Sequence, residues 1–170
     1  MELSTELKDE LVRLCPLVES HREELYEAAS DPEIWKQHPA HDRWKKPVFD
    51  KFFDSAIDSK LAFVVYDNET SKCIGSSRYK RHDEEDDTVE IGWTFLIREC
   101  WGGEYNRSLK TLMIQNAFHH FDHVLLCIGD SNKRSARAAE KIGATLITDK
   151  SHRLYDHRPH YLTYKISKEL

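Results

Sequence analysis

The stretch Thr88–Ser108, TVEIGWTFLIRECWGGEYNRS, decides the fold because a strand pattern runs through a glycine turn into a helix pattern. Apolar residues alternate with others at the period of two that is typical of a strand. These residues are Val89, Ile91, Trp93, Phe95 and Ile97. Gly102 and Gly103 then break the alternation. Asn106 is a residue type that caps helices, so the pattern predicts a helix from Asn106 to about Phe121.

A glycine turn that leads into a helix suits anions. The first backbone N–H groups of a helix have no partner inside the helix and lie at the positive end of its macrodipole, where phosphate oxygens fit. A purely structural turn is the alternative interpretation. The chain contains neither GxxxxGK[ST] nor GxGxxG, which argues against a P-loop nucleotide site and a dinucleotide fold.

Four motifs follow one another along the chain. They are Glu90-Ile91-Gly92-Trp93, Trp101-Gly102-Gly103-Glu104-Tyr105-Asn106, Asn132 to Ser135, and Glu140-Lys141-Ile142-Gly143. In order and spacing they resemble the GNAT superfamily of N-acyltransferases, in particular its ribosomal-protein N-acetyltransferase-like branch. The resemblance implies an enzyme that transfers an acetyl group from acetyl-coenzyme A to an amine by direct attack in a ternary complex.

The predicted elements favour an α/β (α+β) fold with a GNAT-like mixed, mostly antiparallel central sheet of six to seven strands and helices on both faces. Beside the central strand and the helix that follows it, we predict helices at about 20–29, 48–59 and 132–142 and strands at about 10–15, 61–66, 73–81, 124–128, 146–148 and 161–166. Ser20 is predicted to cap the first helix, and Gly75 to mark a bulge. The acidic run Asp83–Asp87 predicts a hairpin turn, and residues 30–47 a long loop. Lys110 and Gln115 are predicted to face outward from the helix after the glycine turn.

Length and composition narrow the function further. A chain of 170 residues is expected to form a single domain over 1–170. Its first ten residues are acidic and polar, so we expect neither a signal peptide nor a membrane partner, and a cytoplasmic protein. The net charge of −5 disfavours nucleic acid and suits a cationic substrate such as an amine. The cysteines form no CxxC pair and are expected to be free thiols, and no metal is predicted, although a histidine-based metal site is an alternative.

The resemblance also assigns the coenzyme site. Backbone N–H groups near Phe95, Leu96 and Ile97 would hold the coenzyme arm and polarise the thioester carbonyl. The remaining cofactor-binding residues would be Trp101, Gly102, Gly103, Glu104, Tyr105, Asn106, Arg107, Asn132 and Ser135. Glu104 and Asn106 depart from the family pattern, which has small residues there. Because Glu104 would put a carboxylate near the pyrophosphate, a non-catalytic acyl-coenzyme A binding or sensing module is the alternative function.

Acetyl transfer needs a neutral amine and a proton for the departing thiolate. At pH 7 about a tenth of α-amino groups are neutral, but only about 4 in 10,000 lysine-type amines, so a side-chain amine needs a base more. Glu90 is the candidate base, directly or through water, and its alternative role is that of a strand acid on a half-solvated face. Ser135 matches the serine of the family motif and could protonate the thiolate or hydrogen-bond the sulfur. Tyr155 and Tyr161 are alternative acids.

The acceptor site follows from the resemblance alone. The segment after the first helix borders the acceptor groove in this family, which makes Trp35 and Trp44 candidate substrate-binding residues, together with Trp93 and Tyr155. Protein N-termini, polyamines, aminoglycosides and amino acids all remain open as amine acceptors. Many proteins of this fold pair through sheet edges, so a homodimer is also open.

Overall fold

The computed structural model describes residues 3–82 and 87–169, and one eight-stranded sheet runs through them. In spatial order the strands are β1 (Leu7–Lys8), β2 (Val12–Pro16), β3 (Ala62–Asp67), β4 (Cys73–Arg81), β5 (Thr88–Leu96), β6 (His123–Gly129), β8 (Tyr161–Ser167) and β7 (Thr145–Leu146). Neighbours are antiparallel except β5 and β6, which run parallel. The predicted mixed, mostly antiparallel sheet is confirmed, and the short strand β1 is its unpredicted member.

Five α-helices accompany the sheet in the described residues. They are α1 (Arg22–Ala29), α2 (Pro32–Trp35), α3 (Lys46–Ser59), α4 (Glu104–Ala117) and α5 (Lys133–Lys141), with 3₁₀ turns at Glu19–His21 and Arg98–Cys100. Successive strand residues point to opposite faces. Phe95 contacts Phe52 of α3, whereas its neighbour Thr94 accepts a hydrogen bond from Lys110 of α4. The predicted helices on both faces are therefore confirmed. None of the described helices is both long and apolar enough to cross a membrane.

The caps of α1 and α4 differ from prediction. Ser20 lies inside the 3₁₀ turn and does not cap α1, which begins at Arg22. The Val18 N–H donates to Nδ1 of His21 over 3.1 Å and caps this turn instead. The helix α4 begins two residues before Asn106, with Gly103 as its cap, and ends at Ala117. Glycine tolerates the cap geometry without a side chain.

The predicted start and end of α5 are confirmed, whereas the predicted loop 30–47 is not entirely a loop. Oδ1 of Asn132 accepts from the Ser135 N–H over 3.2 Å, and Gly143 closes α5 with φ of +90°. The predicted loop 30–47 contains the short helix α2, because Asp31 accepts from the Glu33 N–H and Pro32 suits a first helical position. Asp87 forms a turn before β5, while Asp83–Asp86 of the predicted acidic hairpin lie outside the described residues.

A bulge interrupts the central strand β5. Gly92 pairs with Arg78 and Phe95 with Ser76, so two residues, Trp93 and Thr94, lie opposite Ser77 alone. Trp93 adopts φ of +52°, which is unusual for a non-glycine residue. The predicted alternation from Val89 to Ile97 is therefore wrong beyond Gly92, because the bulge reverses which face each later side chain occupies.

The register shifts beside Gly75, where a bulge was predicted: Val65 of β3 pairs with Gly75 and Tyr66 with Cys73, so Ile74 is the extra residue on β4. On its other side Gly75 pairs with Leu96 of β5. A Cβ at this position would lie 2.0 Å from the carbonyl oxygen of Phe95. The backbones of β4 and β5 approach each other so closely here that no side chain fits.

The strands β5 and β6 diverge soon after they meet. Their parallel pairing joins Thr88–Glu90 to His123–Leu125 and goes no further. Beyond Glu90 the two strands separate, and a cleft opens between them.

Candidate functional site

The cleft between β5 and β6 has a volume of about 960 Å³. Its walls come from β5, the glycine turn, α4, β6 and α5, so they include most of the residues predicted to bind a coenzyme or substrate. Those that line it are Trp35, Trp93, Phe95, Leu96, Trp101, Gly102, Gly103, Glu104, Asn106, Arg107, Asn132 and Ser135. Ile97, Trp44, Tyr105 and Tyr155 are not among its lining residues.

The glycine turn forms one end of the cleft. Gly102 has φ of +85°, in the left-handed region that favours glycine, and Gly103 caps α4. Helix α4 has fourteen residues and begins at the cleft wall, where Gly103 and Glu104 are lining residues. The free N–H groups of its first turn and the positive end of its dipole therefore lie at the cleft. Glu104, the first helical residue, is exposed and brings a carboxylate to this end.

Basic side chains dominate the cleft. Six lysines and arginines line it, and Glu104 is its single acidic lining residue among those described. The cations are Arg107, Lys110, Lys133, Arg134, Arg137 and Lys141. The cleft is therefore positive although the whole chain carries a net charge of −5.

Four of these cations lie on α5 and were missed by sequence reasoning. The spacing of Arg134, Arg137 and Lys141, at three and four residues, puts them on one helix face, which was a readable signal. The guanidinium of Arg134 stacks 3.6 Å from the centroid of the Trp101 ring and joins α5 to the glycine turn. The residues present thus fit a ligand with phosphate groups.

Of the three backbone N–H groups predicted to hold the coenzyme arm, one faces the cleft. The Ile97 N–H donates to the Ile74 carbonyl over 2.9 Å, so it is occupied. In an antiparallel ladder the next residue points its N–H and C=O the other way, and the one after points back. The backbone N–H and carbonyl of Leu96 therefore face the cleft, and the carbonyl accepts from Nε1 of Trp101 over 2.8 Å. The backbone N–H of Phe95 points toward β4.

Glu90 lies behind the cleft. The residue is 3% exposed, which removes the alternative of a solvated strand acid. Its Oε2 is 3.2 Å from Nε2 of His82, and its Oε1 is 3.9 Å from Nη2 of Arg158. It lines a second cavity of about 300 Å³, which also includes Tyr155. Cys127 lines both cavities, so it belongs to the wall of each.

Several predicted side chains have other roles. The indole of Trp35 is a core group, 1% exposed, that donates to the Ala29 carbonyl over 2.8 Å. Trp44 packs against the core and lines neither cavity. The Tyr105 hydroxyl donates to Oδ1 of Asp67 over 3.1 Å, away from the cleft. Tyr161, offered as an alternative acid, does line the large cleft.

Two thiols line the cavities, Cys100 in the large cleft and Cys127 in both. All four cysteines are free, as predicted. Within the described part of the chain, no group of three or more His, Cys, Asp and Glu side chains is arranged to hold a metal ion.

Solved structures share this fold along almost the whole chain. A GCN5-related N-acetyltransferase from Brucella melitensis is 22% identical with a TM-score of 0.77, over 96% of this chain and 79% of its own. A protein assigned as a ribosomal-protein-serine acetyltransferase from Vibrio cholerae is 14% identical with a TM-score of 0.73, over 99% and 100%. The microcin C7 self-immunity acetyltransferase MccE, solved with acetyl-coenzyme A and AMP, is 18% identical with a TM-score of 0.74, over 94% of each chain.

Family models give the assignment that these low identities cannot. None of the curated proteins matches the chain. The model described as Acetyltransferase (GNAT) domain matches residues 12–145, which is most of the sequence. The glycine turn, the six basic residues of the cleft and the diverging strands all lie within that range, and the chain belongs to the GNAT family of acetyltransferases.

Proposed function

We propose that this acetyltransferase, as one domain over residues 1–170, moves the acetyl group of acetyl-coenzyme A directly onto a primary amine in a ternary complex. The acceptor would be a protein N-terminus or a small-molecule amine. The observation that carries the proposal is that two cavities share the wall residue Cys127, one of them basic and the other holding the buried carboxylate of Glu90. A coenzyme and an amine could thus reach one point from two sides.

The chain's own groups suit the coenzyme side. The N-terminus of α4 and the cations of α5 would bind the phosphates, with Arg134 held in place by Trp101. The Leu96 N–H would donate to the coenzyme arm and favour negative charge on a nearby carbonyl oxygen. Acetyl-coenzyme A supplies the thioester carbonyl carbon that an amine attacks.

Proton transfer is assigned to Glu90 and Ser135. Glu90 would take the proton of the attacking amine, and His82 on its other oxygen would orient the carboxylate. Ser135, at the first turn of α5 and on the cleft wall, would donate to the leaving sulfur or protonate it. The atoms balance when the amine's proton leaves through Glu90 and the thiolate gains one from Ser135 or solvent.

Calorimetric titration with acetyl-coenzyme A tests the coenzyme side. We expect micromolar binding by the wild type and tighter binding by Glu104→Gly, because the substitution removes a carboxylate beside the phosphates. No binding by the wild type with recovery in Glu104→Gly would mean that the fold was kept while the coenzyme site was lost.

Turnover of an amine panel, followed by release of the coenzyme thiol, tests the reaction itself. Acetylated product with Glu90-dependent rates would support the proposal. Binding of acetyl-coenzyme A without turnover of any amine would favour the acyl-coenzyme A binding or sensing module instead.

A further inference from the structure

Two arginines next to the cleft, the buried Arg78 and the half-buried Arg43, form no ion pair with a carboxylate of the described residues. Arg78 on β4 is 5% exposed, and its Nε has no hydrogen-bond partner. Nη1 of Arg43, in the segment between α2 and α3, is likewise buried without a partner. Arg78 does donate from Nη1 to the Ser55 hydroxyl over 3.1 Å, which is a neutral acceptor. Neither guanidinium forms an ion pair with a carboxylate in the part of the chain that the structure describes.

Aromatic rings hold both guanidinium groups against the cleft. Arg78 lies 3.9 Å from the centroid of the Trp93 ring, and Arg43 lies 4.5 Å from that of Phe52 and 5.1 Å from that of Trp35. Trp93 and Trp35 are lining residues of the large cleft. The two cations therefore stand directly behind its wall, positioned by stacking rather than by acids.

The electrostatics of this corner call for negative charge. Burial and the charge of Arg78 lower the pKa of Arg43 to about 10, and burial lowers the pKa of Arg78 to about 10 against the opposing influence of Glu90. Burial also lowers the pKa of His38 to about 4, with the charges of Arg43 and Arg134 acting in the same direction. Unpaired buried cations are strongly unfavourable unless an anion accompanies them. A bound anion would relieve this repulsion.

The register of the sheet puts Arg78 beside the proposed base. Arg78 pairs with Gly92, and Lys80 pairs with Glu90, so these four residues share one face of β4 and β5. Gly92 has no side chain, and a Cβ there would lie 3.4 Å from Oε1 of Glu90. The glycine thus leaves open the space between the guanidinium of Arg78 and the carboxylate of Glu90.

We propose that Arg43 and Arg78 form an anion subsite of the acceptor pocket and that the acceptor is an amino-acid-type amine carrying a carboxylate or phosphate group. This inference rests on the proposed function. The acid of the acceptor binds the arginines while its amine lies over Gly92 and reaches Glu90. Diagonal neighbours on a sheet are about 7 to 8 Å apart, so a few bonds between nitrogen and acid span the gap.

The subsite reverses the expectation from net charge. An overall charge of −5 suits polyamines and aminoglycosides, which carry several cations. The local charge beside Glu90 is instead positive and would repel a second cation. Local desolvated charge dominates over net charge because surface charges are screened beyond about 10 Å.

Matched acceptor pairs test the subsite through kcat/KM. The pairs are L-alanine with L-alaninamide and O-phosphoethanolamine with ethanolamine, so that only one member of each pair carries an acid, and a peptide with an N-terminal alanine and no acidic side chain serves as the protein arm. We expect the acidic member of each small-molecule pair to be preferred by about 30-fold, the effect of a hydrogen bond to a charged group. Equal rates within a pair, a preference for the neutral member, or turnover of the peptide alone would overturn the inference.

Variants assign the preference to the arginines. Arg78→Met and Arg43→Met should bring the acidic-to-neutral ratio close to one without loss of acetyl-coenzyme A affinity. Arg81→Met, an exposed arginine on the same strand, is the matched control and should keep the ratio. Retention of the preference in Arg78→Met would overturn the assignment, and Arg78→Lys keeps the test open if the methionine variant does not fold.

A readout without turnover separates this inference from the proposed function. Inorganic phosphate should raise the melting temperature of the wild type and Arg81→Met more than that of Arg78→Met, because only Arg78→Met lacks the anion subsite. Phosphate binding at the coenzyme site is common to all three proteins and adds the same shift to each. Such a difference without turnover of any amine would retain the anion subsite and reject the enzyme proposal. Equal phosphate-induced shifts would overturn the subsite whether or not the protein acetylates amines.

Discussion

Nζ of Lys110 donates to the hydroxyl of Thr94 over 2.6 Å, and that hydroxyl lies 2.7 Å from the hydroxyl of Ser77. The contact joins α4 to the bulge of β5, where Trp93 and Thr94 both lie opposite Ser77 of β4. Lys110 was predicted to face outward and is instead 8% exposed, because the bulge turns Thr94 toward the helix. Burial lowers the pKa of Lys110 to about 7, against the opposing influence of Glu90.

Replacing this lysine should change stability in a pH-dependent way. The folded-state pKa of about 7 lies below the ordinary value of 10.5, so between these limits the unfolded chain binds more protons and stability rises with pH. Lys110→Met removes that dependence. We expect the variant to exceed the wild type in free energy of unfolding by about 1 to 3 kcal/mol at pH 6.5.

Urea unfolding at pH 6.5 and pH 9.5 checks this expectation. The advantage of Lys110→Met should shrink at the higher pH, where the wild-type amine is neutral in the folded state. A constant difference at both values would mean that Lys110 remains charged when folded. Lys141→Met, an exposed lysine of the same cleft, is the control and should show little pH dependence.

Glu90→Gln should separate chemistry from coenzyme binding. Because Glu90 lines the smaller cavity and not the large cleft, we expect kcat to fall by about 10²- to 10³-fold while the Kd of acetyl-coenzyme A stays unchanged. Steady-state kinetics and calorimetry measure the two quantities. Glu99→Gln, at an exposed acid in the 3₁₀ turn after β5, should leave both intact. A change in kcat of less than threefold in Glu90→Gln would eliminate this residue as the base.

Arg134→Met should weaken the coenzyme site. The side chain is half-buried and stacked on Trp101, so its charge is held at the cleft wall and is less screened than a free surface arginine. We expect the Kd of acetyl-coenzyme A to rise about tenfold, with a smaller dependence on salt. Calorimetry at two ionic strengths is the measurement. The control is Arg98→Met, an exposed arginine paired with Asp31, and an equal loss in both variants would contradict a specific phosphate contact.

Gly75→Ala should disrupt the centre of the sheet. Its Cβ would lie 2.0 Å from the Phe95 carbonyl oxygen, which belongs to the backbone and cannot rotate away. We expect a loss of about 3 kcal/mol or more in the free energy of unfolding. Gly103→Ala, where the added Cβ would meet no atom within 4 Å, should cost under about 1 kcal/mol. Similar urea midpoints for the two variants would show that the strands can separate to admit a methyl group.

Local signals carried most of the fold. The apolar stripe of α3, the Asn132 cap and the left-handed Gly143 each depend on residues within a few positions of one another, so they were readable. The glycine turn was located correctly, although the start of α4 was misplaced by two residues. The basic face of α5 had a readable helical spacing that was overlooked.

Contacts between distant segments could not be read in the same way. The bulge at Trp93 depends on how β4 and β5 pair, and it decides that Lys110 is buried and that Phe95 faces α3. Tyr105 was predicted at the cofactor because of its place in a motif, yet Asp67, thirty-eight residues away, holds its hydroxyl elsewhere.

By itself, the sequence determined the glycine turn and the order of the strands and helices other than β1 and α2, because local periodicity and turn chemistry specify these features. Only the tertiary structure decided the charge and depth of the site. Arg43, Arg78 and Glu90 come from three separate segments of the chain. A net charge of −5 for the whole chain gives no sign that two arginines lie close to Glu90. Burial strengthens the interactions between these charges, because water would screen the same side chains and make their interactions weak.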